Sequence, residues 1–596
     1  MKRLLPILLT ALLWSTHIVA TAQNPLECIN PTPQRVECAP EALLFNNSWR
    51  LVGTPEACDM FRSVVGEDAL TLHPRRGVKI RLGVVGDKSV KGTPPPDKSE
   101  GYTLSINTHG ITIVGHDSDG LFYGLQTLRT LIEQGLSEEG VRLHCCTIED
   151  WPEMDERGVV EGFYGTPWSH SARLDQMNFY GRNKLNVYVY GPKDDPWHRW
   201  RWREPYPTEE ATRLAELVEG ARRNHVTFYW AIHPGGDIRW TDEDRDALVA
   251  KFEQMYALGV RAFAVFFDDI GGEGAKADKQ AELLNYLNRN FIATHPDTEP
   301  LMLCPTEYNR AWSNEAGGYL RTLGAMLDGD IRVMWTGNRV ISTIDREAMA
   351  WINERICRKG FVWFNFPVND YVRDHMLLGP VYGNAGDVAE DVEGFVSNPM
   401  EYAEASKVAL YSIADYTWNT DAYKAEESWL RSLAALLPTS SEALRIFALY
   451  NKDMGENVHL FRREEGTEIE EIAQLATEGD GDALVALAKV CDELEWACAT
   501  LLAEESNPQL IEELRPWLLQ GQNVARWGKK VVALRQAILA GEDSEQLRSE
   551  ADALYQKIVE QDTNADLRHP YQTGTKVGSK VLFPTLEKLA KTEQNG

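Results

Sequence analysis

Two acidic residues stand side by side at the end of an apolar run. Asp268 and Asp269 directly follow the segment AVFF (264–267), where a buried strand should end and a loop begin. Desolvation penalises an ionised carboxylate at such a position unless it is paired, hydrogen bonded or used in chemistry. A simple turn leading into IGGEG (270–274) is the alternative explanation. The composition and the neighbouring motifs favour a catalytic pair.

The aromatic content indicates the class of ligand. The chain of 596 residues contains 18 Trp and 21 Tyr, more flat amphipathic side chains than a core needs. Such faces stack well on sugar rings or on nucleobases. A formal net charge of -28 repels a polyphosphate backbone, and no basic stripe interrupts the acidity. We therefore expect a carbohydrate ligand and no nucleic-acid partner.

Two neighbouring acids restrict the mechanism of glycoside cleavage. Glycosidases normally place two carboxyls on opposite sides of the anomeric carbon, about 5–5.5 Å apart for retention and about 6.5–9.5 Å apart for inversion. Sequence neighbours at one strand end approach a sugar from the same side, so Asp268 is poorly placed to attack the anomeric carbon opposite Asp269 as proton donor. A 2-acetamido group on the sugar supplies another nucleophile, because its carbonyl oxygen can close an oxazoline ring at the anomeric carbon.

The two acids then have different tasks. One carboxylate stays ionised, holds the acetamido N–H and stabilises the positive charge that develops on the closing ring. The other begins protonated, donates its proton to the leaving group and afterwards activates water. Two acids at close quarters separate their titrations, which helps to keep one of them neutral. Charge alone does not decide which residue has which task.

The elements around the acids alternate between short apolar strands and amphipathic helices. Helix-like stretches cover 169–183, 209–223, 242–258 and 276–291, and the candidate strands are 158–161, 185–190, 227–232, 262–267, 301–304, 331–335, 362–365 and 408–413. About eight such units predict an α/β fold, a TIM (β/α)8 barrel, whose catalytic groups come from the carboxyl ends of the strands. A doubly wound open sheet is the alternative, but EGFYGTP (161–167) stands where its GxGxxG loop should be.

The chain is too long for one hydrophobic core, and its pattern of predicted strands and helices changes along its length. We predict a signal peptide over 1–22, an N-terminal α+β domain over 23–150, the catalytic barrel over 151–430 and a C-terminal helical domain over 431–596. The signal prediction rests on Lys2 and Arg3, an apolar stretch and a small-residue cleavage site at ATA (20–22). It implies export to a periplasm or beyond, with no membrane insertion after cleavage.

The nine cysteines do not indicate a metal site. Their spacing contains no CxxC pair and no His/Cys cluster of zinc type, so we expect neither a metal nor an organic cofactor. Cys28, Cys38 and Cys58 could include one disulfide, whose pairing the sequence leaves open. The oligomeric state is also left open.

Five ordered motifs resemble one enzyme family. They are RGVVEGFYGTPW (157–168), YGPKDDP (190–196), FFDD (266–269), CPTEY (304–308) and WFNFPVNDY (363–371). With these motifs the chain resembles glycoside hydrolase family 84, the O-GlcNAcase-like β-N-acetylglucosaminidases that use substrate assistance. The resemblance is strongest in the barrel and extends to both flanking regions.

The resemblance implies a role for each motif residue. Asp268 would orient and polarise the acetamido group, Asp269 would be the general acid and base, and Tyr308 would hydrogen bond near the reacting acetamido oxygen. The acetamido methyl would lie in a pocket walled by Cys304, Thr336, Val340 and Trp363, with Asn365 beside them, while the sugar hydroxyls would be held by Gly162, Lys193, Asp370 and Asn398. His233 and His375 are interpreted as structural and are left out of the site.

The leading hypothesis is an exported, retaining exo-β-N-acetylglucosaminidase acting on GlcNAc-bearing glycoconjugates. An endo-acting hyaluronidase is the alternative within enzymes. A non-catalytic GlcNAc-binding protein with a decayed barrel is the alternative from another class.

Overall fold

A computed structural model gives the three-dimensional structure of the chain. It describes residues 26–45, 48–66, 71–72, 77–92, 94–137, 140–452, 469–564 and 574–591. The predicted signal peptide, 1–22, therefore lies outside the described residues. The chain divides into two compact units, Met1–Trp151 and Pro152–Gly596. The boundary predicted between residues 430 and 431 falls within the second unit and stays a prediction.

The first unit is an α+β structure built on a mixed sheet. Its helices are α1 (Pro55–Val65) and α2 (Ser118–Gly135), and α2 packs on the sheet through its buried leucines. The strands follow the spatial order β1-β8-β5-β6-β4-β2-β3, with β7 beside β8. Their bounds are β1 (Arg35–Phe45), β2 (Ser48–Val52), β3 (Thr71–Leu72), β4 (Val78–Val84), β5 (Tyr102–Asn107), β6 (Gly110–Gly115), β7 (Leu136–Ser137) and β8 (Gly140–Asp150).

The second unit begins with a closed barrel, which confirms the predicted TIM-barrel fold. Eight parallel strands of the described chain pair in sequence order, and the last pairs with the first. They are β9 (Arg157–Glu161), β10 (Val187–Tyr190), β11 (Thr227–Ile232), β12 (Ala262–Phe266), β13 (Met302–Cys304), β14 (Arg332–Trp335), β15 (Gly360–Phe364) and β16 (Val392–Ser397).

Helices surround the barrel and follow its strands. Their bounds are α3 (His170–Arg182), α4 (Thr208–Arg223), α5 (Asp242–Ala257), α6 (Ala277–Asn290), α7 (Tyr319–Met326), α8 (Arg346–Ile356) and α9 (Ala403–Trp418). Short polar side chains set where several of them begin. Ser169 accepts a hydrogen bond from the backbone of Ala172 at the start of α3, and Thr241 does the same for Asp244 at the start of α5.

The predicted eighth strand is wrong. Residues 408–413 lie inside α9, and the strand that closes the barrel is β16, earlier in the chain. Nearly every residue of α9 is buried, so the helix has no polar face and its apolar run imitates a buried strand. Strand β16 was missed because Glu393 and Gly394 interrupt its apolar pattern.

Beyond the barrel the described chain is helical, as predicted. The helices are α10 (Ala425–Leu436), α11 (Ser441–Leu449), α12 (Glu470–Glu478), α13 (Gly481–Leu502), α14 (Pro508–Ala540), α15 (Glu545–Asn564) and α16 (Leu582–Ala590). In the part of the chain that the structure describes, none of the helices combines the length and the apolar character needed to cross a membrane.

The cysteines are all free thiols in the structure. Cys28, Cys38 and Cys58, for which the sequence left a disulfide open, are among these free thiols. Cys491 and Cys498 are buried on α13 and pack against Gly521 and Gly528 of α14, where they act as small apolar side chains.

Strand β9 lies against β10 so closely that it needs a glycine. A Cβ atom on Gly158 would stand 1.8 Å from the carbonyl oxygen of Val187, a backbone atom of the paired strand. We expect Gly158→Ala to lower the free energy of unfolding by about 3 kcal/mol, because the two strands must separate to admit the methyl group. Chemical denaturation of both proteins measures the difference.

The matched control is Gly329→Ala, since nothing lies within 4 Å of a Cβ atom at that position. Equal effects of the two substitutions would show that the β9–β10 contact does not require glycine.

Candidate active site

All the predicted site residues line one cavity of about 200 Å³ at the carboxyl end of the barrel strands. Gly162 and Asn398 follow β9 and β16, and Asp268 follows β12. The parallel barrel brings these strand ends to one rim, although they are distant in sequence. The predicted residues in the lining are Gly162, Lys193, Asp268, Asp269, Cys304, Tyr308, Thr336, Val340, Trp363, Asn365, Asp370 and Asn398.

The two acids reach the same cavity because the chain turns between them. Along β12, Ala264 and Phe266 point into the barrel, and the alternation of a strand directs Asp268 inward as well. The same alternation would direct Asp269 outward. Asp269 instead adopts a left-handed backbone conformation, with φ of 56°, which returns its carboxyl to the rim of the cavity. Aspartate tolerates this conformation better than most residues.

Asp268 is an ionised carboxylate in which one oxygen accepts a hydrogen bond and the other has no hydrogen-bond partner. Lys193 donates from Nζ to Oδ2, and both side chains are only 7 % exposed. Burial alone would raise the pKa of Asp268, but the ammonium group of Lys193 holds the pKa well below its usual value. The Oδ1 atom is buried and has no hydrogen-bond partner. An ionised oxygen in this position needs a donor from a ligand.

Asp269 is held by two tyrosine hydroxyls. Tyr308 donates to Oδ1 at 2.8 Å, and Tyr164 donates to Oδ2 at 2.9 Å. Burial and the charge of Asp269 raise the pKa of both tyrosines, so each keeps its proton and remains a donor. Tyr164 is more exposed than Tyr308, and its ring lies at the open side of the cavity. The carboxyl of Asp269 is therefore fixed at the mouth.

The far side of the cavity is walled by an aromatic ring and a chain of amide hydrogen bonds. Trp363 donates from Nε1 to Asn365 Oδ1 at 2.9 Å, and Asn398 donates to the same oxygen at 2.9 Å. Asn365 donates in turn to the carbonyl of Val340 at 2.7 Å. Burial raises the pKa of the Cys304 thiol well above its usual value, so that this wall carries no charge.

The loop after β9 is anchored by a buried ion pair. Arg173 donates two hydrogen bonds to Glu161, the last residue of β9, and the Tyr188 hydroxyl donates to the same carboxylate. Three residues after Glu161, the backbone N–H of Tyr164 donates to Asp370 Oδ2 at 2.9 Å. Burial raises the pKa of Asp370. These contacts fix the position of the Tyr164 ring relative to Asp268 and Asp269.

The loop after β15 is held by the C-terminal helical region. This loop carries Asp370 and Tyr371, which both line the cavity. The carbonyl of Asp374 accepts from Trp517 Nε1 at 2.9 Å and from the backbone N–H of Lys576 at 2.7 Å. The helical region therefore fixes one side of the site without contributing a lining residue.

The structure adds residues that the sequence analysis did not assign. Tyr164 stood in a quoted motif without a role, and Trp312, Ile341, Val368 and Tyr371 also line the cavity. Tyr164 lies three residues after the end of the predicted strand 158–161, and this position is the signal that could have found it.

The two histidines that were set aside differ in their positions. His233 is buried behind Asp268, with Nε2 2.8 Å from the carbonyl oxygen of that residue. His375 bonds Asp374 and Ser579 outside the cavity lining. His233 is therefore not a lining residue, but it contacts one of the two acids directly. Its place directly after β11, in register with inward-facing Tyr229 and Ala231, was the available signal.

The described residues contain no group of three or more His, Cys, Asp or Glu side chains arranged to hold a metal ion. The polar groups of the residues that line the cavity include carboxylates, amides, one ammonium group and tyrosine hydroxyls. They suit hydrogen bonding to a neutral polyol or amide ligand.

Comparisons with known proteins agree with this arrangement. A family model for β-N-acetylglucosaminidase matches residues 157–449, and one for a bacterial GH84 post-catalytic domain matches 470–590. Residues 28–151 match domain 2 of glycosyl hydrolase family 20. The solved structure of CpGH84B is 30 % identical, with a TM-score of 0.84, and the match covers 94 % of this chain and 99 % of that one.

The chain belongs to glycoside hydrolase family 84.

A second structure of this family 84 type, a mutant of the Thermobaculum terrenum O-GlcNAc hydrolase, is 27 % identical, with a TM-score of 0.64 over 74 % of this chain and 95 % of that one. Among curated proteins, the protein O-GlcNAcase of Rattus norvegicus is 33 % identical over 313 residues, half of this chain. The matched segment spans about a third of the length of that relative. The family 84 fold and glycosidase class are thus shared over the catalytic region.

The ion pair behind the cavity of this family 84 enzyme should control its behaviour in acid. We expect Lys193→Met to raise the pKa of Asp268, because burial remains while the positive charge is lost. A carboxylate with a depressed pKa loses its contribution as pH falls, so the acid limb of kcat/KM should move to higher pH. A pH profile with a chromogenic β-N-acetylglucosaminide measures the shift.

Lys279→Met removes an exposed lysine that pairs with Glu282, and serves as the control. An acid limb that stays in place in Lys193→Met would mean that Lys193 does not keep Asp268 ionised.

Proposed function

We propose that this chain is a retaining exo-β-N-acetylglucosaminidase that removes terminal β-linked GlcNAc from glycoconjugates through an oxazoline intermediate. The observation that carries the proposal is the Oδ1 atom of Asp268, an ionised and buried oxygen without a hydrogen-bond partner, on a residue that lines the cavity. The N–H of a 2-acetamido group is a donor of the right kind for it. The family match to β-N-acetylglucosaminidase supports the same substrate.

In the first step the sugar supplies its own nucleophile. Asp268 accepts the acetamido N–H, which turns the carbonyl oxygen toward the anomeric carbon and increases its electron density. The oxygen forms a bond to that carbon as the glycosidic bond breaks, and Asp269 gives its proton to the departing oxygen. The products of this step are the free leaving group, an oxazolinium ion paired with Asp268, and the Asp269 carboxylate.

The second step reverses the roles at Asp269. Its carboxylate takes a proton from a water molecule, whose oxygen attacks the anomeric carbon on the face that the leaving group vacated. The oxazoline ring opens, the acetamido group is restored, and Asp269 is protonated again. Two displacements on opposite faces leave the configuration unchanged. When Asp269 is protonated, the hydroxyl of the exposed Tyr164 can turn to accept the hydrogen bond.

The remaining side chains provide recognition in this proposal. Cys304, Thr336, Val340, Trp363 and Asn365 surround the acetamido methyl, and Tyr308 lies near the reacting acetamido oxygen. Gly162, Lys193, Asp370 and Asn398 bind the sugar hydroxyls. A cavity of about 200 Å³ is smaller than the roughly 300–1,000 Å³ of sites for larger ligands, which supports binding of one terminal sugar.

The place of action is proposed from the sequence. The basic and apolar start of the chain, followed by a small-residue cleavage site, supports export to a periplasm or an extracellular space. The substrates would then be glycoconjugates that the enzyme meets outside the cytoplasm.

The fall in kcat/KM caused by removing the proton donor should depend on the leaving group of the substrate. We expect Asp269→Ala to lower kcat/KM by about 10²- to 10⁴-fold for an alkyl glycoside, which needs protonation, and far less for a dinitrophenyl glycoside, which does not. Steady-state kinetics on both substrates give the two ratios. Asp278→Ala, an exposed acid at the start of α6, is the control. Equal losses on both substrates would remove Asp269 from the role of acid.

Participation of the substrate can be tested by weakening its nucleophile. Successive fluorination of the N-acetyl methyl withdraws electrons from the carbonyl oxygen, so we expect kcat/KM to fall steadily from the acetyl to the trifluoroacetyl substrate. Asp268→Asn should steepen this fall, because the carboxylate no longer polarises the amide. A flat response across the series would exclude the oxazoline step.

A further inference from the structure

A buried histidine contacts the chain between the two acids. His233 follows β11 and is 5 % exposed. Its Nε2 atom lies 2.8 Å from the backbone carbonyl oxygen of Asp268 and 3.5 Å from Oδ1 of the same residue. The carbonyl oxygen is thus the closer of the two contacts, and it belongs to the peptide that joins Asp268 to Asp269.

The chemistry of the contact fixes the state of the ring. A carbonyl oxygen only accepts, so the proton of the neutral imidazole lies on Nε2 of His233. Burial lowers the pKa of His233, which keeps the ring neutral despite the neighbouring carboxylate of Asp268. The ring therefore acts as a hydrogen-bond donor of fixed direction and not as a second cation beside Lys193.

Contacts on the other side hold the histidine in place. The backbone N–H of His233 donates to the carbonyl of His198 at 2.8 Å, and the two rings meet edge to face with centroids 6.4 Å apart. His198 is itself fixed by a contact of 2.6 Å between Nδ1 and the carbonyl oxygen of Ala231. The donor is therefore rigid relative to strand β11.

The peptide that His233 holds decides where both carboxyls point. Asp269 has a left-handed backbone, and rotation of the preceding peptide would carry its carboxyl away from Tyr308 and Tyr164. The peptide one step earlier is held separately, because the Thr306 hydroxyl donates to the carbonyl of Phe267 at 2.9 Å. Consecutive carbonyls at the end of β12 are thus fixed by two different neighbouring segments.

We propose that His233 is a positioning residue, whose Nε2–H locks the Asp268–Asp269 peptide in the one conformation that presents both acids to the same sugar. The proposal rests on the proposed function for its kinetic readout. Its consequence is that removing the donor should impair proton transfer by Asp269 while leaving the cavity walls in place.

Three substitutions separate the hydrogen bond from the bulk of the ring. The side-chain amide of His233→Gln can reach the carbonyl as Nε2 does, His233→Asn is one bond too short, and His233→Leu has no donor. We expect His233→Leu and His233→Asn to lose about ten- to a hundredfold in kcat/KM on an alkyl glycoside, with a smaller loss on a dinitrophenyl glycoside. His233→Gln should retain most of the activity on both.

Coupling to Asp269 provides the second readout. In an Asp269→Ala background, His233→Leu should cause little further loss on the alkyl glycoside, because the group that it positions is already absent. His295→Leu removes a partly buried histidine that bonds the carbonyl of Phe291 away from the cavity, and should leave the ratio between the two glycosides unchanged. If His233→Leu does not fold, the Gln and Asn variants carry the comparison.

Some results would overturn the proposal. They are equal losses in the Gln and Asn variants, a loss that is the same on both glycosides, or full additivity with Asp269→Ala. A crystal structure of His233→Asn tests it without an assay, since a φ at Asp269 that stays near the left-handed value would show that the peptide does not need this donor. Failure of the proposed function itself is separate, because it would be seen as equal losses on both glycosides in Asp269→Ala alone.

Discussion

The site depends on a buried ion pair between Lys193 and Asp268. Removing either partner would leave a charge in a cavity wall with little solvent, which is strongly unfavourable. The pair is stable in this buried position because the loop after β10, which carries Lys193, is itself fixed by hydrogen bonds. There Asp195 accepts from the hydroxyls of Tyr190 and Tyr206, and Arg199 donates to the carbonyl of Lys193. The ionised state of Asp268 therefore depends on the loop after β10, because this loop holds Lys193 in place.

The ion pair with Lys193 also explains why the adjacent carboxyls of Asp268 and Asp269 differ in their electrostatic environment. Asp268 continues the inward alternation of β12 and meets a cation, whereas Asp269 leaves the strand through a left-handed turn and meets two neutral hydroxyls. One side chain is therefore kept ionised by a charge, and the other is only oriented by hydrogen bonds. A difference of environment across a single peptide bond separates the two tasks that substrate-assisted cleavage requires.

Much of this architecture was predictable from the sequence, because the predictable features are local. Apolar runs bounded by turns located seven of the barrel strands, and polar motifs at their ends placed the lining residues in one cavity. The fully buried helix α9 imitated a strand, since burial on all sides erases the periodicity on which the distinction rests. The contact of His233 could not be found from motifs, because its partner is a backbone carbonyl, which every residue possesses.

The hold of the helical region on the loop after β15 has a consequence for biosynthesis. The carbonyl of Asp374 accepts hydrogen bonds from Trp517, which is 143 residues later in the chain, and from Lys576, which is later still. The ribosome therefore completes the barrel strands well before Trp517 and Lys576 are made. During synthesis the loop after β15 therefore lacks these two hydrogen bonds until the later helices have been made and have docked.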